Sequence, residues 1–434
     1  MYSLTENFTE LAAQIASNTA IITEYLKKNG LPEPDFTVDA AGELPQVPEV
    51  QEARLNLIDA TSKLRHLATG ADEYLRTESF IMHHDEAVLN VFTQFNVWSA
   101  VPQHGSAPVA SIASTTGLPE EKLRRLLKHA FTMGLFAETS PGSWEIVHTG
   151  SSAYTYRNPL IKAWVGHNLE ECLPASIRLP DALRKYTDSQ EPAHCGVAVN
   201  FYPDAPSDTT LFNWFEAARE GEETGWRARR FGEAMASFSE TGSADIAHVN
   251  AGFDWDSLGE ATVVDIGGSI GHASIELASK HPKLKCIIQD FPELESRADA
   301  LVPAALKSRV TFQAHNFFEP QPVVAEVYFL KHVLHDWSDK YAIKVLRQLV
   351  PVLKAGSRVI LMECIVPPRG AVPDSIGRNI SGLDLQMMVM ANSKERNPEE
   401  WTKVVKEADE RFDVKAFVQP PGSAAGVIEI VWKG

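Results

Sequence analysis

The second half of the chain alternates short β-branched runs with helix-like segments, and this alternation constrains the fold more than any other feature. Five apolar runs lie between residues 261 and 366: ATVVDI, KCIIQD, RVTFQA, EVYFLK and RVILMECIV. The segments HASIELASKH, LESRADALV and YAIKVLRQLVPVLKAG separate them and have the apolar spacing of helices. Runs of this kind are typical of strands that are buried on both faces of a parallel sheet. The pattern predicts an α/β fold with a doubly wound sheet.

The segment FDVKAFVQPPGSAAGVIEIVWKG follows this alternating region. Its two apolar runs flank a loop rich in Pro and Gly, which is the pattern of two strands joined by a turn. We expect an antiparallel hairpin at the edge of the sheet.

The first half of the chain is predicted to be mainly helical, with a winged helix between residues 108 and 149. PVASIASTTGLPEEKLRRLLKHAFTMGLF indicates two helices separated by a turn, and AETSPGSWEIVHT indicates a hairpin. Because 434 residues exceed what one core usually supports, we expect two domains, residues 1–150 and 241–434, with a helical linker at residues 151–240.

Charge and composition narrow the class of partner. A winged helix can bind nucleic acid, and Lys122, Arg124, Arg125 and Lys128 lie on the polar side of its second helix. The formal net charge of −17 opposes binding to nucleic acid or to anionic membranes, so these residues are interpreted as a solvated helix face. With no apolar run of about 18 residues, no signal-peptide pattern and four cysteines without CxxC spacing, we expect a soluble, cytoplasmic protein with a small-molecule ligand.

The turn after the first strand, DIGGSIGHAS, predicts a close approach of the backbone to a ligand. Gly267, Gly268 and Gly271 supply the conformational freedom, but Ser269 and His272 break the GxGxxG spacing of dinucleotide-binding sites. The second strand ends in Asp290, whose carboxylate can accept the hydroxyls of an adenosine ribose. After the third strand, Asn316, Phe317 and Phe318 are suited to bracket an adenine.

The segment FLKHVLHDWSDK allows three interpretations: a catalytic base, a metal site or the polar end of a strand. A metal site would recruit His332, His335, Asp336 and Asp339. Magnesium prefers oxygen ligands to paired imidazoles, so we expect no metal in the reaction and undiminished activity in excess EDTA.

Four motifs carry a resemblance to a known family: VVDIGGSIGHASIELASKHPKLKCIIQDFPEL, LKHVLHDWSD, RVILMECIVPP and NSKERNPEEW. The chain resembles the S-adenosylmethionine-dependent O-methyltransferases of the plant caffeate/flavonoid type, in particular their fungal secondary-metabolite branch. The motifs occur in the family's order, and the N-terminal half, including VHTGSSAY, resembles the family's dimerisation domain. The resemblance implies a Rossmann-like methyltransferase sheet in residues 241–434 and a pocket-forming linker at 151–240. It also implies a homodimer formed through residues 1–150.

The resemblance implies S-adenosylmethionine as cofactor and S-adenosylhomocysteine as product. It places Gly267 under the methionine part, Asp290 on the ribose, Phe317 by the adenine and Lys331 on the polar edge. Ser239 matches a position that contacts the cofactor from the linker helix. Asn316 stands where the family commonly has an acidic residue on the adenine amino group, and its amide oxygen can accept the same hydrogen bond.

For the reaction, the resemblance implies that His335 is the general base and that Glu363 and Glu395 are its carboxylate partners. A histidine suits this role because its pKa lies near neutrality and its second nitrogen can be fixed by a partner. His332 is interpreted as a pocket-wall or structural histidine. The acceptor site is expected to include Phe231, Met235, Asp336, Met388 and Asn392.

The leading hypothesis is methylation of a phenolic or enolic hydroxyl of a polyketide or alkaloid. A second hypothesis is a cofactor-binding pseudo-methyltransferase that catalyses a cyclisation, dehydration or pericyclic step. A third is a winged-helix regulator that senses the cofactor. The retained His335, Glu363 and Glu395 favour methyl transfer, whereas the choice between an oxygen and a nitrogen acceptor stays open.

Overall fold

The structure is a computed structural model that describes residues 5–218, 221, 223–239 and 242–434, without the side chains of residues 238 and 239. The helices are α1 Phe8–Lys28, α2 Pro48–Gln94, α3 Val97–Ala100, α4 Val109–Thr116, α5 Glu120–Thr132, α6 Gly150–Arg157, α7 Pro159–His167, α8 Leu173–Ile177, α9 Leu179–Lys185, α10 Gly196–Phe201, α11 Leu211–Glu216, α12 Trp226–Ser239, α13 His272–Lys280, α14 Glu295–Leu301, α15 Asp339–Arg347, α16 Asp374–Ala391 and α17 Pro398–Ala408. The strands are β1 Ala107–Pro108, β2 Phe136–Glu138, β3 Glu145–His148, β4 Ala261–Ile266, β5 Leu284–Asp290, β6 Val310–Ala314, β7 Val327–Lys331, β8 Arg358–Glu363, β9 Phe412–Val418 and β10 Gly426–Trp432.

The chain divides into two compact units, each built from three segments. The helical unit contains residues 1–173, 226–237 and 369–379, and the sheet unit contains residues 174–225, 238–368 and 380–434. The predicted domain boundaries at residues 150 and 240 do not coincide with these segments, and as functional divisions they stay a prediction.

The helical unit contains the predicted winged helix. Helix α4 ends at Gly117, whose left-handed backbone (φ 74°) favours glycine, and α5 follows. Strands β2 and β3 then pair antiparallel, with Phe136 opposite His148. The core under this hairpin contains Phe92 and Trp98, which both pack on the Phe136 ring.

The sheet unit contains seven strands in the order β6-β5-β4-β7-β8-β10-β9. The five strands β4 to β8 are parallel, and β10 runs antiparallel to both β8 and β9. Successive residues along a strand point to opposite faces, so Val264 and Val263 belong to different cores. The first core includes residues of α15 and α17 and the second includes residues of α13, so helices cover both faces. The predicted α/β fold is confirmed.

One expectation for this unit needs correction. The helix predicted from YAIKVLRQLVPVLKAG ends at Arg347, and a short 3₁₀ turn, Val350–Val352, replaces its second half. Pro351 explains the early end, because proline lacks the backbone N–H and disfavours a helical residue before it. The predicted antiparallel hairpin of β9 and β10 is confirmed at the edge of the sheet, with β9 as the outermost strand.

Among the described residues, no helix has the length and apolar composition that crossing a bilayer would require.

Candidate active site

His335 lies in a 3₁₀ turn, Leu334–Asp336, just beyond the carboxyl end of β7. The residue is 8% exposed, and its Nδ1 lies 2.8 Å from Oε1 of Glu395. A carboxylate only accepts hydrogen bonds, so Nδ1 carries the proton and Nε2 is left as the second nitrogen. Oδ1 of Asp336 lies 3.7 Å from that Nε2. The turn therefore presents an oriented imidazole with one ring nitrogen available for chemistry.

Glu363, the last residue of β8, acts on the backbone of this turn. Its Oε1 accepts hydrogen bonds from the N–H groups of Val333 and Leu334, at 3.1 and 2.8 Å. No hydrogen-bond partner is found for its Oε2 in the described part of the chain, although the residue is fully buried. Of the two predicted carboxylate partners, Glu395 contacts the imidazole and Glu363 holds the loop that carries it.

The ionisable side chains around His335 shift one another's pKa values. Burial alone would lower the pKa of His335, but Asp336, Glu395 and Glu363 outweigh it and raise that pKa to about 10. Burial raises the pKa of Glu363 to about 7 and that of Asp336 to about 6. The site thus favours a protonated imidazole next to carboxyl groups that are themselves reluctant to ionise.

His332 has a different environment from His335. Its backbone has a φ of 50°, uncommon for a residue other than glycine, and its ring centroid lies 5.3 Å from that of His335. Burial, with the positive charges of Lys331 and His335, holds the pKa of His332 well below its usual range. The pKa values of the two histidines in this segment are therefore shifted in opposite directions.

Arg396 is a functional residue that the sequence reasoning missed. Its fully buried guanidinium donates to the carbonyls of Leu334 and Trp337, at 3.1 and 2.7 Å, on either side of His335. Its Nε donates to Asp339 at 2.8 Å. The only available signal was the position of Arg396 directly after Glu395, since bonds to backbone carbonyls leave no mark on the sequence.

The glycine-rich turn between β4 and α13 packs closely against neighbouring side chains and requires glycine at two positions. A Cβ on Gly267 would lie 2.9 Å from Cγ2 of Val333, and one on Gly271 would lie 2.2 Å from Cδ1 of Ile288. Both glycines have positive φ, 69° and 91°. The backbone N–H of Ser269 donates to Asp290 at 2.7 Å, which fixes the Asp290 carboxylate at the end of β5.

The other predicted cofactor residues lie at the carboxyl ends of further parallel strands of this sheet. Asn316 and Phe317 follow β6, and Lys331 ends β7. Oδ1 of Asn316 accepts the N–H of Phe318 at 3.0 Å. Burial lowers the pKa of Lys331, although Glu363 and Asp265 oppose the shift. The side chain of Ser239 lies outside the described part of the chain.

The predicted acceptor-site residues are divided between the two units. Met388 is half-buried on α16, in the sheet unit with Asp336 and Asn392. Nδ2 of Asn392 donates to the carbonyls of Ser189 and Glu191, both at 2.9 Å, so it fastens that segment.

Phe231 and Met235 are half-buried on α12 in the helical unit. The Phe231 ring packs edge-on against His167, with centroids 5.4 Å apart.

A buried imidazole held by a carboxylate, beside a glycine-rich turn and a strand-end aspartate, defines a group-transfer site on a nucleotide-binding sheet. The sequence model of the O-methyltransferase domain matches residues 215–410. The chain belongs to this family, and it is an S-adenosylmethionine-dependent O-methyltransferase.

Two curated relatives illustrate this membership. The O-methyltransferase pyvH of Aspergillus violaceofuscus is 33% identical over 439 residues, which cover 98% of each chain. The grayanic acid biosynthesis cluster O-methyltransferase of Cladonia grayi is 34% identical over 98% of this chain and 87% of its own.

Solved structures share the fold. OxaC in complex with S-adenosylhomocysteine and oxaline gives a TM-score of 0.75 at 21% identity, covering 98% of this chain and all of that one. LepI with S-adenosylmethionine gives a TM-score of 0.72 at 22% identity, with the same coverage.

Proposed function

We propose that the chain methylates a phenolic or enolic hydroxyl of a secondary metabolite, a polyketide or an alkaloid, with His335 as the general base. The observation that carries this proposal is the hydrogen bond between Glu395 and Nδ1 of His335, which leaves Nε2 as the proton acceptor. The substrate class is supported by the relative named for grayanic acid biosynthesis and by the small molecule oxaline bound to OxaC.

The chemistry follows from the environment of His335. Bound S-adenosylmethionine supplies an electrophilic methyl group, and a neutral hydroxyl is a poor nucleophile toward it. Nε2 of His335 takes the hydroxyl proton, while Glu395 stabilises the imidazolium through Nδ1. The raised pKa of His335 makes its neutral form a stronger base, and this neutral form accepts the hydroxyl proton to give an imidazolium and an anionic acceptor oxygen. Glu363 and Arg396 keep the turn in place during the transfer.

The proposed cofactor contacts come from residues at the carboxyl ends of the parallel strands. Gly267 takes the methionine part, Asp290 the ribose, Asn316 and Phe317 the adenine, and Lys331 the polar edge, with Ser239 contributing from α12. Support comes from the carboxylate of Asp290, which the N–H of Ser269 in the glycine-rich turn fixes at the end of β5. An Asp290→Asn variant is expected to weaken S-adenosylhomocysteine binding by about ten- to a hundredfold in calorimetry, because charged hydrogen bonds contribute about 1.5–3 kcal/mol.

For the acceptor we propose contacts from Phe231, Met235, Asp336, Met388 and Asn392. Asp336 is supported by its position 3.7 Å from Nε2 of His335. Met388 offers an adaptable apolar surface. With its Nδ2 engaged, Asn392 would use its Oδ1 toward an acceptor.

The test is a screen of phenolic and enolic polyketides and alkaloids with methyl-deuterated S-adenosylmethionine, using wild-type protein and His335→Asn. We expect labelled O-methyl product from the wild type and a loss of about 10²- to 10⁴-fold in the variant. His129→Gln is the matched control, because His129 also pairs with a carboxylate, Asp85 at 2.8 Å, but lies in the helical unit. Near wild-type turnover by His335→Asn, with normal S-adenosylhomocysteine binding, would disprove the base assignment. An unlabelled, cyclised product would instead support the pseudo-methyltransferase hypothesis.

We also propose a homodimer formed through the helical unit, in the cytoplasm. On α2, Leu75, Phe80 and Met82 are 68%, 62% and 51% exposed, which favours a protein partner for that face. The four cysteines are buried and form no disulfide within the described part of the chain, which suits a reducing compartment. Light scattering of the purified chain tests the dimer, and Leu75→Glu is expected to weaken it.

A further inference from the structure

Two histidines and one glutamate converge at the carboxyl ends of β7 and β8. One ligand atom each from His332, His335 and Glu363 lie within 4.8 Å of one another. Nδ1 of His332 is 4.0 Å from Oε2 of Glu363. Zinc is bound by imidazole nitrogens and carboxylate oxygens at about 2.0–2.2 Å, so modest side-chain movements place all three atoms around one ion.

A second, independent observation points to a cation at this place. Oε2 of Glu363 is fully buried, and no donor is found for it among the described residues. A buried carboxylate oxygen without a partner is costly, and a positive ion would satisfy it. This oxygen faces Nδ1 of His332, at a distance too long for a hydrogen bond.

The surrounding contacts are those that orient metal ligands. Histidine ligands usually donate their other ring nitrogen to a carboxylate, and Glu395 already takes Nδ1 of His335. Ligating carboxylates are usually hydrogen-bonded as well, and the N–H groups of Val333 and Leu334 hold Oε1 of Glu363. These hydrogen bonds engage Nδ1 of His335 and Oε1 of Glu363, so Nε2 of His335 and Oε2 of Glu363 are the remaining ligand atoms of these two side chains.

We propose that His332, His335 and Glu363 bind a zinc-class divalent ion, and that the bound ion inhibits methyl transfer by occupying Nε2 of His335. Two imidazoles and one carboxylate suit zinc or cobalt, whereas magnesium requires more oxygen ligands. The inhibitory part rests on the proposed function, because it assumes that Nε2 accepts the proton of the acceptor hydroxyl. The ion is not needed for the reaction itself.

Binding is tested without reference to activity. Full-length protein stripped with EDTA is titrated with zinc by calorimetry and with cobalt by visible absorption. We expect one tight site per chain, and zinc affinity at least a hundredfold weaker in His332→Asn, where asparagine tolerates the positive φ of 50°. Glu363→Gln provides a second variant should the first fail to bind S-adenosylhomocysteine. His84→Asn is the matched control, because it removes a histidine from the His83–His84 pair on α2, whose rings lie 4.1 Å apart.

The outcomes separate the two proposals. Equal tight zinc binding by wild type, His332→Asn and Glu363→Gln overturns the metal site, whatever the activity data show. Loss of zinc binding in His335→Asn together with retained methylation overturns the base assignment and the inhibition, but keeps the site. Zinc inhibition of the wild type that EDTA reverses, and that His84→Asn retains, supports the full proposal. Activation by zinc overturns the inhibitory role.

Discussion

His335 is fixed from two directions by two consecutive residues. Glu395 orients the imidazole through Nδ1, and Arg396 holds the carbonyls on either side of His335. The backbone N–H of Glu395 donates in turn to Oδ1 of Asp384 at 2.9 Å. The short segment between α16 and α17 therefore sets both the position and the ring orientation of the proposed base.

Arg396→Lys tests this positioning. Lysine keeps the charge next to Asp339, but its three donors share one nitrogen and cannot span the contacts that three separate guanidinium nitrogens make, so the turn loses at least one carbonyl contact. We expect kcat to fall about tenfold or more, because small misplacements of a catalytic group are costly, with little change in S-adenosylhomocysteine affinity. Lys394→Met is the matched control, since Lys394 also pairs with Asp339, at 3.5 Å. An unchanged kcat in Arg396→Lys would contradict the positioning role.

Gly271→Ala is expected to destabilise the sheet unit more than an ordinary glycine substitution. The new Cβ would meet Ile288 at 2.2 Å, and the φ of 91° adds backbone strain, for a combined cost of about 2 kcal/mol or more. Gly356→Ala isolates the backbone part, because Gly356 has a similar φ of 90° and no atom within 4 Å of its would-be Cβ. Thermal melting should rank Gly271→Ala below Gly356→Ala, and the reverse order would refute the steric argument.

Sequence motifs indicate the ionisable side chains of the proposed reaction, but they do not indicate the side chains that bind backbone atoms of the turn. His335 and Glu395 were found by pattern and lie in contact. Glu363 was also found, but as a partner of the ring, whereas it holds the N–H groups of the turn. Arg396 was not found at all. Contacts to backbone atoms are independent of the partner's side chain, so a sequence pattern carries little record of them.

At the scale of elements, buried strands were easier to predict than their order. All five predicted parallel strands occur, because continuous apolar runs are required where both faces are covered. Within the C-terminal hairpin, β10 lies inside the sheet and β9 lies at its edge. Five of the seven residues of β10 are buried, whereas β9 has one buried residue, as befits an interior strand next to an edge strand.

Helix α17 begins with a capping box, which is expected to stabilise its first turn. The side chain of Asn397 accepts the N–H of Glu400, and the Glu400 carboxylate accepts the N–H of Asn397. We expect Asn397→Ala to cost about 1 kcal/mol, whereas Asn397→Ser should be close to neutral. Hydrogen exchange at the first turn of α17 provides the measurement, and equal protection in both variants would count against the cap.

At the scale of the molecule, each compact unit is assembled from separated segments, which contiguous domain boundaries do not capture. Residues 226–237 and 369–379 belong to the helical unit although most of their sequence neighbours belong to the sheet unit. Hydrophobic periodicity shows which face of a helix or strand is buried, but it does not show which of the two units the element packs in. The two-unit arrangement was therefore beyond the reach of the sequence patterns.

The acidic chain is expected not to bind DNA through its winged helix. Arg124 pairs with Glu120 at 2.6 Å and stacks over Trp144, and Arg125 lies 3.9 Å from Glu121. These charges are partly neutralised, and the formal net charge is −17. Fluorescence anisotropy with duplex DNA in low salt should show no binding at about 10 µM protein, where nonspecific DNA-binding proteins bind readily. Binding that weakens in Lys122→Glu would reverse this conclusion.

Strand β10 lies between β8 and β9, and both of these strands precede it in the sequence. Gly426 of β10 pairs with Glu363 of β8, far back along the chain, and Val427 pairs with Val418 of β9. Before β10 is inserted, β8 has an unpaired, apolar edge next to the residues that will form the site. Open edges of this kind pair with other chains, and pairings distant in sequence form slowly. Refolding at high protein concentration should therefore divert chains into aggregates, and overproduction should benefit from slow synthesis at low temperature.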